Sequence, residues 1–500
     1  MIHARLGTDR DMPRLLIVLC LSLFAFGFAK PLESADSNLN LITSSPAETR
    51  AKTKATTAPP NFVFVIADDL TYRDIGCYGG QAHTPNIDRL ATEGMMFTRC
   101  FQAAPMCSPT RHNIYTGLYP VKSGAYPNHT FAKAGTKSIV QHLKPLGYRV
   151  ALSGKTHIGP REIFSFEYSG KKNPDMKVID TLFGESKKTS KPFCLIACSN
   201  EPHTPWNKGD PSRYPPDDLK LPSYIVDTEV VRENFSRYLA EITYYDYQVG
   251  QIDELLNKHG LRENTMLVVV SEQGNAFPFA KWTCYGNGLQ SAMIVRWPGR
   301  VKPNSVSGAL VEYVDVLPTF LDAAGAAKDS QLDGLSFLPV LRGHASRHKD
   351  HVYGIMTTRG IINGSSVYPI RTVRDERFRL VWNPAHENKF TNACTKSKLF
   401  RSMVEKADGG DARAKELVRR YHFRPEYELF DCDADPLEQV NLAGSSKHQA
   451  TLETLKKKLR EWMTAQGDQG ISTEEESIFR LKKNAKRSRA DALKRWKRRN

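Results

Sequence analysis

Beyond its first thirty residues, the 500-residue sequence contains no apolar run near the roughly 20 residues a membrane-spanning helix needs. Internal transmembrane helices are therefore excluded. It has no internal repeat, which excludes a solenoid or propeller array. Among its nine cysteines only Cys194 and Cys198 are closely spaced, and no second pair stands at zinc-finger spacing. A low apolar content is also missing. At 40 % hydrophobic residues, with 33 glycines and 29 prolines, the chain has a globular balance, enough for a large core and a smaller second one.

The one long apolar run, residues 15–29, follows Arg14 and ends in Gly27 and Ala29. A short run after a basic residue, closed by small residues, reads as a secretory signal over residues 1–29. That reading implies export (periplasmic, extracellular or lysosomal), with no membrane anchor left after cleavage. Cleavage would leave eight cysteines, whose pairing the sequence does not give. Residues 30–58 are rich in Ser, Thr, Ala and Pro and read as a linker. The net charge is +16, and residues 481–500 supply nine of it, with ten Lys/Arg against one Asp. This basic tail, placed over residues 471–500, reads either as a solvated end or as a tether for a polyanion such as a sulfated polysaccharide. Nucleic acid is not expected as a partner of an exported protein.

From residue 59 short apolar runs alternate with helical patterns, the mark of an α/β domain with a mainly parallel sheet. Four runs end in chemistry-bearing residues. The run at 62–67 is followed by Asp68 and Asp69, and that at 148–153 by Gly154, Lys155, Thr156 and His157. The run at 192–198 leads to Asn200, Glu201 and His203, and that at 266–271 to Glu272 and Gln273. In open α/β sheets ligands bind beyond the carboxyl ends of strands, so parallel strands would deliver these groups to one edge. Two adjacent carboxylates there repel each other unless a cation joins them, and hard oxygen donors suit calcium or magnesium. Thr84 and Pro85 read as the cap and first position of a helix, residues 238–258 as a long amphipathic helix, and 310–324 as a further helical stretch. Near His344 the alternation stops. Residues 369–374 and 377–382 read as a hairpin and 428–430 as a third strand, so the domain over 59–345 is followed by a smaller antiparallel one over 346–470.

Cys107-Ser108-Pro109-Thr110-Arg111 is the most specific motif. Pro109 suits the first position of a helix, which puts Cys107 just before a helix N-terminus, where backbone amides favour an anion. Arg111 can reach back one turn. Extended to Gly117, this stretch resembles the signature of type I sulfatases, the formylglycine-dependent family. The other family motifs occur in order: residues 61–69 resemble the first metal-binding strand, 84–94 the helix after it, Gly154-Lys155-Thr156-His157 the family's G-K-x-H, and 428–443 the closing motif. Within the family, residues 154–160, 367–373 and 378–381 are most similar to the heparan N-sulfatase (sulfamidase) branch.

The resemblance implies an alkaline-phosphatase-like fold, a large mixed sheet flanked by helices with a smaller C-terminal antiparallel subdomain. It implies that a maturation enzyme converts Cys107 to formylglycine, whose hydrate attacks sulfur. It implies one Ca2+ held by Asp68, Asp69, the residue at position 107, Glu272 and Gln273. The last two stand where the family has Asp followed by Asn or His, so each side chain is one methylene longer. Lys155 and His157 would flank the nucleophile, His203 would protonate the leaving atom, and Lys281 and Arg111 would offset the sulfuryl charge. The implied substrate is a sulfated saccharide, of heparan N-sulfate type. Two alternatives stay open: an O-sulfatase or a phospho- or phosphonate-ester hydrolase of the same superfamily, and a non-catalytic binder of sulfated glycans. His129 and His386 read at most as part of a substrate-pocket wall, and the remaining histidines receive no role.

Overall fold

Strand β1 (Asn61–Ile66) is six consecutive buried residues, a pattern that only a strand covered on both faces can carry. Alternate side chains point to opposite faces. Val63 and Val65 pack with Val231, Phe235, Leu239, Ile242 and Val249 of the Glu229–Lys258 helix. Phe62, Phe64 and Ile66 pack on the other face with Ile114, Tyr115, Leu317 and Phe320. The sheet is therefore the middle layer of three. The computed structural model describes residues 58–484 and 486–497. The expected signal segment, and all but the last residue of the expected linker, lie outside the described residues.

In chain order the other strands of this sheet are β2 (Met95–Phe101), β3 (Arg149–Gly154), β4 (Glu167–Tyr168), β5 (Phe193–Cys198), β6 (Thr265–Val270), β7 (Gln290–Arg296), β8 (Ser305–Ser307) and β9 (Val311–Glu312). They lie in the order β4-β3-β5-β1-β6-β7-β2-β8, with β9 beside β2. β1 runs parallel to both β5 and β6, and β3 runs parallel to β5. The four strands expected to point one way do so, and their carboxyl ends share one edge. β7 is antiparallel to β6 and β2, which makes the sheet mixed.

A second sheet of β10 (Val352–Met356), β11 (Ile370–Arg374), β12 (Phe378–Trp382) and β13 (Tyr427–Asp431) is antiparallel throughout. Val373, Leu380 and Leu429 pack with Leu452, Leu455, Leu459 and Trp462 of the Gln449–Gln466 helix. Between these strands, Phe400, Met403, Leu417 and Tyr421 of two further helices join the first core. The described residues consequently form one compact unit.

Three local expectations give way. Thr84 precedes the Pro85–Glu93 helix but makes no capping bond; its hydroxyl accepts from Gly76 N–H and donates to Asp88. Only the second half of 310–324 is an α-helix (Val316–Ala323). Before it, β9 and a 3-10 turn hold Glu312 and Asp315 against the partly buried Lys349, each at 2.7 Å. Residues 471–484 are no free tail. Glu474 is buried and accepts from the N–H and hydroxyl of Thr358, and Arg480 donates to the Gly124 and Phe131 carbonyls. Leu481 forms an antiparallel bridge with Thr130.

Candidate active site

The chain leaves β1 straight into Asp68 and Asp69, and leaves β6 into Ser271, Glu272 and Gln273. Leu70 N–H donates to the Glu272 carbonyl at 3.0 Å, which clips the two exits together. Gln273 Nε2 donates to Asp69 Oδ1 at 2.7 Å and to Asp68 Oδ1 at 3.2 Å. Lys281 Nζ stands 2.6 Å from both oxygens of Asp69. Lys155, one residue past β3, is hydrogen-bonded to Asp68 Oδ2. Arg111 Nη2 lies 2.5 Å from Glu272 Oε2 and 3.7 Å from Asp68 Oδ1. Three carboxylates thus meet three cations, and all but Lys155 are fully buried. Such charges leave water only when each is paired.

Cys107 is the first residue of the Cys107–Thr116 helix, two positions earlier than Pro109 at N1 would place the boundary. All ten residues of this helix are buried, so the helix runs through the interior and not along the surface. Cys107, 2 % exposed, lines a cavity of about 1110 Å³ whose wall also includes Lys155, His157, His203, Lys281 and Trp282. Burial pushes the Cys107 thiol up to about 11, against the pull of Lys281. It is therefore a neutral thiol near pH 7 and a poor nucleophile in its own right. Burial and the charge of Lys281 draw Lys155 down to about 7, and burial raises Glu272 to about 6 against Arg111.

His203 Nδ1 is 2.7 Å from the Thr204 carbonyl, which fixes the proton on Nδ1 and leaves Nε2 facing Asp69 Oδ2 at 3.6 Å. Asp69 pulls this imidazole upward, but burial with Lys281 and Lys155 outweighs it and holds it at about 4. His157 Nε2 is 2.8 Å from Nδ1 of His129. Burial, helped by Lys155 and His129, keeps His157 neutral, well below the usual imidazole range.

Among the described residues, ten non-glycine residues have positive φ, and five of them are here: Asp69, His129, His157, Gln273 and Trp282. Each costs of order 1–3 kcal/mol, and such strain persists where the surroundings over-determine it. All ten side chains expected at the site thus lie at one sheet edge. His129 does line the cavity, but its contact with His157 was not foreseen, because nothing in its local sequence marks a histidine that reaches the site from a loop. Trp282 and Lys482 of the cavity wall were missed for the same reason.

Asp68, Asp69 and His203 form a group whose donor atoms lie within 4.8 Å of one another, close enough to share a metal ion. Oε1 of Glu272 and Oε1 of Gln273 are buried with no hydrogen-bond partner, two spare oxygen donors beside the two aspartates. This donor set fits a hard divalent cation. The Glu272 carboxylate is turned to Arg111 by its other oxygen, so the expected ligand set is assembled but not symmetrically disposed.

Fold and site together define a hydrolase with an anion pocket at the carboxyl edge of a mixed sheet. The chain belongs to the sulfatase family: the Sulfatase family model matches residues 60–326, and the model for the C-terminal part of N-sulphoglucosamine sulphohydrolase matches residues 274–392. It is accordingly an enzyme that hydrolyses sulfate esters or sulfamates. It is 33 % identical over 430 residues to an ulvan-active sulfatase of Formosa agariphila, covering 83 % of this chain and 82 % of the relative. It is 26 % identical over 460 residues to human N-sulphoglucosamine sulphohydrolase, covering 81 % of this chain and 90 % of the relative. A protein solved with its substrate D-glucosamine-2-N,6-O-disulfate superposes with a TM-score of 0.63 at 20 % identity, covering 83 % of this chain and 99 % of that one. A phosphonate monoester hydrolase of Silicibacter pomeroyi superposes at 0.62 and 19 %, covering 83 % and 97 %. These likenesses carry the alkaline-phosphatase-like fold.

Proposed function

We propose that this sulfatase removes sulfate from a sulfated saccharide, with a nucleophile made from Cys107 by conversion to formylglycine and with one bound Ca2+. The observation that carries the reading is the buried, charge-balanced centre at the foot of the cavity, where a neutral thiol opens a helix beside two aspartates and three cations. A thiol in that state is a poor nucleophile itself, which supports its conversion. The match to the N-sulphoglucosamine sulphohydrolase model and the human relative supports an N-sulfated glucosamine of heparan type as the substrate. The signal-like residues 1–29 support export, and a formylglycine-generating enzyme is the implied maturation partner.

Bound there, formylglycine would supply a hydrated aldehyde oxygen toward sulfur, and calcium, held by Asp68, Asp69 and the spare oxygens of Gln273 and Glu272, a Lewis acid for the sulfate oxygens. Lys155 and Lys281 offset the charge of the sulfuryl group, and Arg111 holds Glu272 in place. An anion entering beside His203 raises its basicity by offsetting the two lysines. His203, with Nδ1–H anchored on Thr204, then takes up a proton from solvent on Nε2 and passes it to the departing oxygen or nitrogen. His157, braced by His129, takes a proton from the group at position 107 as sulfate leaves.

The test is sulfate release from N-, 6-O- and 2-O-sulfated heparin-type saccharides, with phosphorylated model esters alongside. The protein is matured in a competent host and loaded with calcium, and Cys107→Ala is the control. Release from the N-sulfated sugar alone, lost in Cys107→Ala, is the expected result. Release only from an O-sulfated sugar would overturn the N-sulfatase reading and keep the mechanism. Turnover that survives Cys107→Ala would overturn the mechanism itself.

A further inference from the structure

The lysines deep in the cavity wall are committed, Lys155 to Asp68 and Lys281 to Asp69, and the fully buried Arg111, outside the wall, is committed to Glu272. Those at its mouth are not. Arg161 reaches the wall from the loop after β3, Lys171 and Lys172 from the loop after β4, and Lys482 from the C-terminal segment. All four are exposed, and among the described residues Glu162 is the one acid in the wall. Lys171 is paired with Asp175 at 2.8 Å, and the Arg161 guanidinium lies 5.0 Å from the Tyr168 ring centre. Lys172 and Lys482 have no acidic partner among the described residues.

A basic run near a chain end is ordinarily a solvated face. Lys482 is held differently. Its backbone N–H donates to the His129 carbonyl at 2.7 Å, and the preceding Leu481 is 5 % exposed and bridged to Thr130. The Thr130 hydroxyl donates to the Arg480 carbonyl at 2.8 Å. A pinned backbone thus delivers this ammonium to the cavity, close to the Gly159 turn and the His129–His157 pair. The cavity, at about 1110 Å³, exceeds the roughly 300–1,000 Å³ of common small-molecule sites. One sulfated ring does not fill it. Trp282, Ile361 and the 71 % exposed Ile362 add an apolar stretch of wall that suits the C–H face of a sugar ring.

We propose that the mouth of the cavity is a second anion subsite, in which Lys172 and Lys482 hold a further sulfate or carboxylate of the same saccharide. The substrate class is then a multiply anionic saccharide, not a singly sulfated neutral one. This rests on the sulfatase reading for the sulfate bound at the foot.

Calorimetric titration in a Cys107→Ala background tests it, because nothing is turned over. The probes are N-sulfated glucosamine and a heparin-type tetrasaccharide, each at low and at near-physiological salt. The double variant Lys172→Ala/Lys482→Ala keeps the backbone bond of residue 482 and removes only exposed side chains. Its affinity for the tetrasaccharide should fall at least tenfold, with a shallower salt dependence. Its affinity for the monosaccharide should change less than twofold, and Lys172→Arg/Lys482→Arg should bind the tetrasaccharide like the parent. An equal loss on both probes, or no loss on either, would overturn the subsite. Sulfate release by the parent enzyme is scored separately. Selective loss of tetrasaccharide binding without any sulfate release would leave the subsite standing and sink the catalytic reading.

Discussion

Replacing His203 with alanine separates proton transfer from every other duty at the site. With Nδ1–H fixed on the Thr204 carbonyl at 2.7 Å, only Nε2 can serve the leaving atom. A positioned general acid contributes roughly 10²–10⁴-fold, or about 2.7–5.5 kcal/mol of barrier. That contribution depends on the leaving group. A sugar oxygen or amine cannot depart unprotonated, whereas a nitrophenolate can. At saturating calcium, His203→Ala should therefore lose about 10²–10⁴-fold in kcat/KM on an N- or O-sulfated sugar and less than about tenfold on nitrophenyl sulfate. The assay is sulfate release across a series of aryl sulfates of graded leaving-group acidity, with a steeper dependence in the variant. A uniform loss over the whole series would refute the argument. If the loss appeared only below saturating calcium, His203 would instead be a metal ligand, as its 3.6 Å approach to Asp69 Oδ2 permits.

Two further outcomes concern stability. Lys349→Met leaves Glu312 and Asp315 buried side by side without their shared cation. Unfolding by urea should show a loss of about 3–5 kcal/mol at pH 7.5, shrinking toward pH 5 as Glu312, already raised by burial, takes up a proton; a loss below about 1 kcal/mol would count against the pairing. Glu241 accepts from the Asn207 and Lys208 N–H groups, and burial raises it to about 7. Its contribution is full below the unfolded value near 4.5 and is lost as pH rises through about 7. Glu241→Gln should therefore reduce the drop in stability between pH 5 and pH 8.5 by at most about 3 kcal/mol, and an unchanged drop would be evidence that Glu241 is ionised throughout.

The four strand ends were legible because strands covered on both faces read as unbroken apolar runs, and the charges that follow such runs have few places to go. Motif order supplied Cys107 and Arg111. What was not legible depends on long-range pairing. β2 and β7 carry Arg99, Gln290 and Arg296 among their apolar residues, so neither reads as a clean strand. Residues 310–324 look helical throughout, but their first half is fixed by Lys349, which no local pattern reveals. His129 and Lys482 reach the cavity because residues 480–482 lie against 129–131, a contact across some 350 positions.

That last contact also sets an order in time. Cys107 is 2 % exposed in the finished fold, so under the proposed maturation its chemical conversion must precede closure. The residues that pin the wall beside it leave the ribosome more than 370 positions later. At roughly 5–20 residues per second, synthesis keeps the nucleophile strand-side open for about 20–75 s. Under that maturation, the C-terminal segment would be the last piece laid against the wall of a site whose nucleophile has already been made.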